Sequence, residues 1–144
     1  MIERIPTVGI VVLFQNNVLL VEHLDGAGHV TGSFGTPGGR VDQGETVEDA
    51  AVRELKEEAG VTVNIHDLIR IPKVYDADLP RKNGEVLSVS HTVFAANKFS
   101  GELRDSEETK PQWIPFTDVS KLNLLINTED MIQHAQKAIL AKPE

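Results

Sequence analysis

Three carboxylates lie close together in the segment RELKEEAG. Glu54, Glu57 and Glu58 stand at i, i+3 and i+4 of what reads as a helix, which makes them near neighbours on one face. Like charges so placed destabilise an isolated helix by about 0.2–0.5 kcal/mol per pair, and partial burial raises that cost. From Glu45 to Glu58 the chain holds six acidic residues against Arg53 and Lys56. A solvated helix face is the ordinary reading of clustered glutamates, but such a face usually carries lysine four residues on. Here the fourth residue after Glu54 is Glu58. A divalent cation would relieve the crowding. With no cysteine in the chain, oxygen or imidazole must hold any metal, and carboxylates favour magnesium, with manganese as the alternative. Such ions screen adjoining phosphates, polarise the bridge between them and lower the pKa of a bound water.

The spacing around these residues is specific. Gly39, five residues, Glu45, seven residues, Arg53-Glu54-Leu55, one residue, Glu57-Glu58, one residue, then Gly60-Val61 gives nine specified positions within residues 39–61. The stretch resembles the Nudix box at every one of them, and the chain is thereby similar to Nudix hydrolases. The resemblance implies an α/β fold, a Nudix-type α/β/α sandwich with a mixed sheet between helices, in which the box forms loop, helix and loop. It implies metal ligation by Glu54, Glu57 and Glu58, with the backbone carbonyl of Gly38 as a further ligand. It also implies a structural pairing of Arg53 with Glu45, in which the guanidinium clamps and orients a carboxylate. Gly39 and Gly60 are the structural glycines of the box.

General base catalysis requires a further carboxylate near the metal-bound water. Glu54 is the candidate within the box. Glu107 and Glu108, in the loop before Trp113, are the candidates outside it, with Glu108 preferred. An exposed acidic loop without catalytic role is the competing reading of that segment. For substrate contacts the aromatic and basic candidates are Phe34, Tyr75, Arg81 and Trp113. Trp113 also fits a core position in the strand-like QWIPF, and Arg81 with Lys82 also fits a solvated basic loop. The five histidines are scattered without metal spacing and read as structural or surface residues.

The elements that must position these groups are legible in outline. TVGIVVLFQNNVLLVEHL, from Thr7 to Leu24, reads as two strands joined at Gln15-Asn16-Asn17. Residues 25–39 contain six glycines and Pro37, a loop able to approach a ligand closely. The spacing predicts a helix over Val47–Ala59, capped by Thr46 and closed by Gly60, with Ala51, Val52, Leu55 and Ala59 as its apolar stripe. Strands are expected around Ile65–Tyr75 and Val86–Asn97, separated by the polar loop DADLPRKNGE. A short strand is expected at Gln112–Phe116 and a closing helix at Thr128–Leu140, capped by Thr128.

Composition bounds the rest. At 144 residues, 40% hydrophobic and 25% charged, the chain is expected to form one domain over residues 1–144. The net charge is −8, and residues 45–58 supply −4 of it, so a nucleic-acid polymer is not an expected partner. A small phosphorylated ligand bridged by cations is. No apolar run spans a bilayer and no signal segment is evident, so a cytoplasmic setting without membrane contact is expected. The resemblance implies a pyrophosphohydrolase of a nucleoside diphosphate linked to another group, ADP-ribose or a nucleotide sugar first. The alternatives are a (d)NTP pyrophosphohydrolase acting on oxidised or excess nucleotides, and a non-catalytic nucleotide-sensing module. A homodimer is implied by resemblance only.

Overall fold

The computed structural model describes residues 3–142. Its first strand, β1 (Ile5–Phe14), carries a run of buried residues from Thr7 to Leu13, as expected of a strand covered on both faces. Alternate side chains go to opposite sides. Val8, Ile10 and Val12 enter one apolar cluster with Leu55, Ala51 and Ala59 of helix α1 (Val47–Ala59). Val11 and Leu13 enter a second with Met131, Ile132 and Ala135 of helix α2 (Thr128–Ala141). The mixed sheet thus lies between two helices, in agreement with the expected sandwich.

The remaining strands are β2 (Asn17–His23), β3 (Phe34–Gly35), β4 (Gly38–Arg40), β5 (Ile69–Pro80), β6 (Val86–Ala96) and β7 (Thr109–Pro115). Their order is β3-β2-β1-β6-β5, with β4 pairing β1 and β7 pairing β2. β1 and β6 run parallel, and the other pairs are antiparallel. The first two strands form the expected hairpin only at its tip, where Leu13 faces Val18 and Phe14 faces Asn17. Gln15 takes a left-handed conformation in that turn, at φ 55. Beyond the tip the strands part, and β4 takes the vacated edge of β1, with Gly9 opposite Gly38. This parting opens the space in which the acidic helix and a cavity meet.

Gly38 is where the chain approaches itself most closely, since a Cβ there would collide with the Val8 carbonyl and lie 2.9 Å from the Gly9 Cα. Neither backbone group can move without disturbing the β1–β4 pairing. Gly38→Ala is therefore expected to destabilise the protein by about 1–3 kcal/mol, the usual cost of overpacking, and a urea titration would measure it.

The expected bounds and caps of α1 hold. Thr46 Oγ1 accepts from the Asp49 amide at 3.1 Å, and Gly60 closes the helix at φ 84. Ala50, and not Val52, is among the fully covered residues of its inner face. α2 differs at its start. Asn127 occupies the cap at φ 70, and Thr128 is the first helical residue, donating its hydroxyl to Leu125 O at 2.7 Å. The expected loop DADLPRKNGE is also corrected, because residues 76–80 continue β5 in register with β6 as far as Pro80 opposite Val86. β5 is an edge strand, which tolerates both the proline and the alternating aspartates. Upstream, residues 65–67 form a 3-10 turn, so that strand begins at Ile69.

Candidate active site

The box glutamates are organised by Arg53. Its guanidinium grips Glu45 as a two-pronged fork, Nε to Oε2 at 2.8 Å and one terminal nitrogen to Oε1 at 2.9 Å. The other terminal nitrogen reaches Glu54 at 2.9 Å and Glu57 at 3.2 Å, and the fork also donates to the Arg40 carbonyl at 3.0 Å. Arg53 thereby ties the helix to the strand and loop that precede it. The bond to Arg53, reinforced by the Asp42 amide, holds Glu45 down to about 2, and Glu45 in turn raises Arg53 further above its already high value.

Among the described residues Glu58 has no such cation. Its carboxylate accepts from the Gly38 amide at 2.6 Å. Burial pushes its pKa up to about 8, with the neighbouring charges of Glu54, Glu108 and Glu57 acting in the same direction and the Gly38 amide opposing. Burial also raises Glu54, against the pull of Arg53. Gly39 makes this packing feasible, since a Cβ at that position would sit 2.5 Å from the Glu54 carboxyl carbon. Among the described residues no three carboxylate or imidazole groups converge on one point, because Glu54 and Glu57 are turned to Arg53 and Glu58 to Gly38. The donor set nevertheless fits a hard divalent cation. It offers oxygen ligands one helical turn apart, with a like-charge crowding that a divalent cation relieves.

These glutamates line a cavity of about 720 Å³. Glu107 and Glu108 line the same cavity. Two bonds bring the loop there: Thr109 Oγ1 donates to Glu58 O at 2.9 Å, and the Leu24 amide donates to Glu108 O at 2.8 Å.

Of the four substrate candidates, Tyr75 and Arg81 line the cavity and Phe34 and Trp113 do not. Phe34 packs against the α2-side cluster. Trp113 pairs with Leu19 across β2 and β7, which turns it to the α1-side cluster. There it stacks with Phe99 at 5.1 Å and Phe14 at 5.6 Å between ring centroids. It is a packing residue. Tyr75 is pinned, its hydroxyl donating to Asp130 at 2.7 Å, and Lys73 bonds the same carboxylate at 2.9 Å. The Arg81 guanidinium lies over Gly28, where any Cβ would collide with it. Lys82 fastens the two loops together, its amide donating to Gly28 O at 3.2 Å and its Nζ to Asp25 O at 3.0 Å.

Sequence reasoning misses three cavity-lining histidines, His23, His29 and His91. Burial lowers the pKa of all three, to about 4 for His29 and His91, so they are neutral at physiological pH. The one signal in the sequence is the alternation in β6, which places His91 on the same face as Val89 and Val93.

A profile of the NUDIX domain matches residues 3–135. The chain belongs to the Nudix family. It is 38% identical over 96 residues to an ADP-ribose pyrophosphatase of Methanocaldococcus jannaschii, a match covering 67% of this chain and 52% of that protein. It is 35% identical over 116 residues to an oxidized purine nucleoside triphosphate hydrolase of Mus musculus, covering 76% and 69%. The matched stretch thus spans about half the length of the first relative. Among solved structures, the MutT NUDIX hydrolase of Burkholderia pseudomallei superposes with a TM-score of 0.76 at 26% identity, covering 92% of this chain and 98% of that one. No helix among the described residues of this Nudix chain is long and apolar enough to cross a membrane.

Proposed function

We propose that this Nudix chain is a divalent-metal-dependent pyrophosphohydrolase that cleaves the phosphoanhydride of a nucleoside diphosphate linked to another group, with ADP-ribose or a nucleotide sugar preferred. The observation that carries this reading is the placement of Glu54 and Glu57, held by Arg53, and of Glu58, held by the Gly38 amide, along one cavity of nucleotide size. Glu54, Glu57 and Glu58 would hold magnesium or manganese, with the Gly38 carbonyl beside them. When bound, the metal supplies charge neutralisation at the phosphates and a water acidic enough to attack phosphorus.

The chain's own residues set the rest. Arg53 and Glu45 orient Glu54 and Glu57. Glu108, on the loop that faces Glu58, accepts the proton of the attacking water, with Glu54 as the competing base. Tyr75, held by Asp130, gives the cavity a rigid aromatic wall, and Arg81 offers a guanidinium without a carboxylate partner among the described residues. Lowered histidine pKa values keep the interior from adding charge as pH falls through the physiological range.

Hydrolysis of nucleoside triphosphates is the second reading, favoured by the similarity to the Mus musculus triphosphate hydrolase. The position of Trp113 outside the cavity takes away one argument for base stacking but leaves both substrate classes open to the same carboxylates. A sensor without turnover would be marked by loss of a metal-binding glutamate, and the box is intact.

The test is product release from a panel of ADP-ribose, nucleotide sugars, dinucleoside polyphosphates and ordinary and oxidised nucleoside triphosphates, with magnesium and with EDTA. Magnesium-dependent cleavage of ADP-ribose or a nucleotide sugar is expected. Preference for a triphosphate would replace the first reading with the second. Binding without cleavage under either metal would sink both.

A further inference from the structure

His91 is built into the cavity floor in a way that the hydrolytic machinery does not use. Thr7 and His91 face each other across the parallel pair of β1 and β6, and Thr7 Oγ1 lies 2.6 Å from His91 Nδ1. Thr7 is buried, and among the described residues its hydroxyl has no other partner. Donation from the Thr7 hydroxyl to Nδ1 leaves the ring proton on Nε2. Burial keeps the ring neutral, which this arrangement requires.

The absent side chain of Gly9 leaves a notch bordered by His91 Nε2. A Cβ on Gly9 would stand 2.6 Å from His91 Nε2 and 2.9 Å from Thr36 Oγ1, so both polar atoms converge on the same small space. Every fully buried side-chain polar atom among the described residues has a hydrogen-bond partner. His91 Nε2 and Thr36 Oγ1 have none within the described protein, and they therefore open onto the cavity. Gly9 is opposite Gly38, whose amide holds Glu58. The notch thus lies about one strand spacing, roughly 5 Å, from Gly38, and the Glu58 carboxylate lies beyond Gly38 at the far end of that 2.6 Å hydrogen bond.

We propose that His91 and Thr36 form a specificity-determining subsite that hydrogen-bonds the oxygens of the sugar joined to the pyrophosphate, with Thr7 as the residue that positions the imidazole. The inference rests on the pyrophosphate reading given above. A sugar is favoured because the notch shares one cavity with the carboxylates and is set apart from Glu58 by Gly38, as suits the group next to the pyrophosphate. It is also neutral and of mixed donor and acceptor character, unlike a phosphate site. A polar site of this kind discriminates sharply, because a ligand that lacks the matching oxygen leaves both groups without partners.

The test compares binding of ADP-ribose and of inorganic pyrophosphate by calorimetry, with calcium in place of magnesium to suppress turnover. His91→Phe is expected to weaken ADP-ribose binding roughly ten- to a hundredfold while leaving pyrophosphate unchanged. Thr36→Val, nearly isosteric and remote from the imidazole's own support, is expected to show a smaller loss of the same selectivity if the histidine variant folds poorly. Nitrogen NMR of the free wild-type protein should show His91 as the neutral tautomer protonated at Nε2. Equal losses on both ligands would assign these residues to phosphate binding or to structure, and unchanged ADP-ribose affinity in both variants would remove them from the site. Either result overturns the proposal. Absence of cleavage across the substrate panel would sink the hydrolase reading alone, because these affinities are measured without turnover.

Discussion

Glu58→Gln is expected to lower metal-dependent turnover by about two to four orders of magnitude while making the metal-free protein more stable at neutral and higher pH. The loss follows from removing one of the three carboxylates proposed to hold the metal, where a few kcal/mol of charge stabilisation translates into that range of rate. The gain follows from linkage. In the folded, metal-free protein the Glu58 carboxyl is pushed to about 8 from its ordinary 4.5, so between those values the native state holds a proton that the unfolded chain has released. Its favourable contribution is complete below the unfolded value and is lost as pH rises from 4.5 through 8. Because each tenfold difference in proton affinity between the folded and unfolded chain is worth about 1.4 kcal/mol, the loss amounts to a few kcal/mol. Glutamine retains the acceptor for the Gly38 amide and has no charge to bury. Thermal melts in EDTA at pH 5 and pH 8 should show wild type losing stability across the interval and the variant much less. Magnesium at pH 8 should raise the wild-type melting temperature more than that of the variant. Equal activity of the two proteins, or parallel pH curves, would remove Glu58 from the proposed role.

Arg53→Ala carries the second large effect, this time on stability and activity together. The guanidinium supports three glutamates and the Arg40 carbonyl at once. Removing it leaves Glu45 and Glu54, with side chains only 16% and 14% exposed, without their cation. Breaking a fully buried pair costs about 3–5 kcal/mol. Arg53 keeps 28% of its side chain exposed, which allows water to compensate in part, so about 2–4 kcal/mol is expected. Turnover should fall about 10- to 100-fold beyond any loss of folded protein, as is usual when a group that orients metal ligands is removed. Arg53→Lys separates charge from geometry. An ammonium can neutralise one carboxylate but cannot hold Glu45 with two parallel bonds while reaching Glu54, so the charge-conserving variant should remain well below wild type. Denaturant titrations of Arg53→Ala, Glu45→Gln and the double variant would give the coupling between them. A coupling near zero would mean that the fork is incidental.

What is legible in the sequence is what depends on near neighbours along the chain. Helix α1, its Thr46 cap, its Gly60 terminus and the clustering of Glu54, Glu57 and Glu58 follow from i, i+3 and i+4 spacing, which a helix converts into space without help from the rest of the protein. The pairing of Arg53 with Glu45 is legible too, because the fixed spacing of the box carries it. The sandwich of helices about a mixed sheet is visible through the same resemblance and through the order of strand and helix segments.

Tertiary structure alone decided which strand residues line the cavity. A strand places alternate side chains on opposite faces, and the face that becomes cavity rather than core is settled by distant partners. Trp113 turns to the α1 side because β7 pairs with β2 in the register that sets it opposite Leu19. Phe34 belongs to the α2-side core for the corresponding reason, while the adjacent Gly35 lines the cavity. The polar run after Tyr75 became strand because β6 supplied backbone partners that composition does not reveal. His91 acquired its place in the same way: Thr7, Gly9 and Thr36 lie more than 50 positions away in the chain, and only the β1–β6 and β1–β4 pairings bring them to one notch. Helical chemistry is written locally, whereas the binding surface of a sheet exists only once its strands have chosen their neighbours.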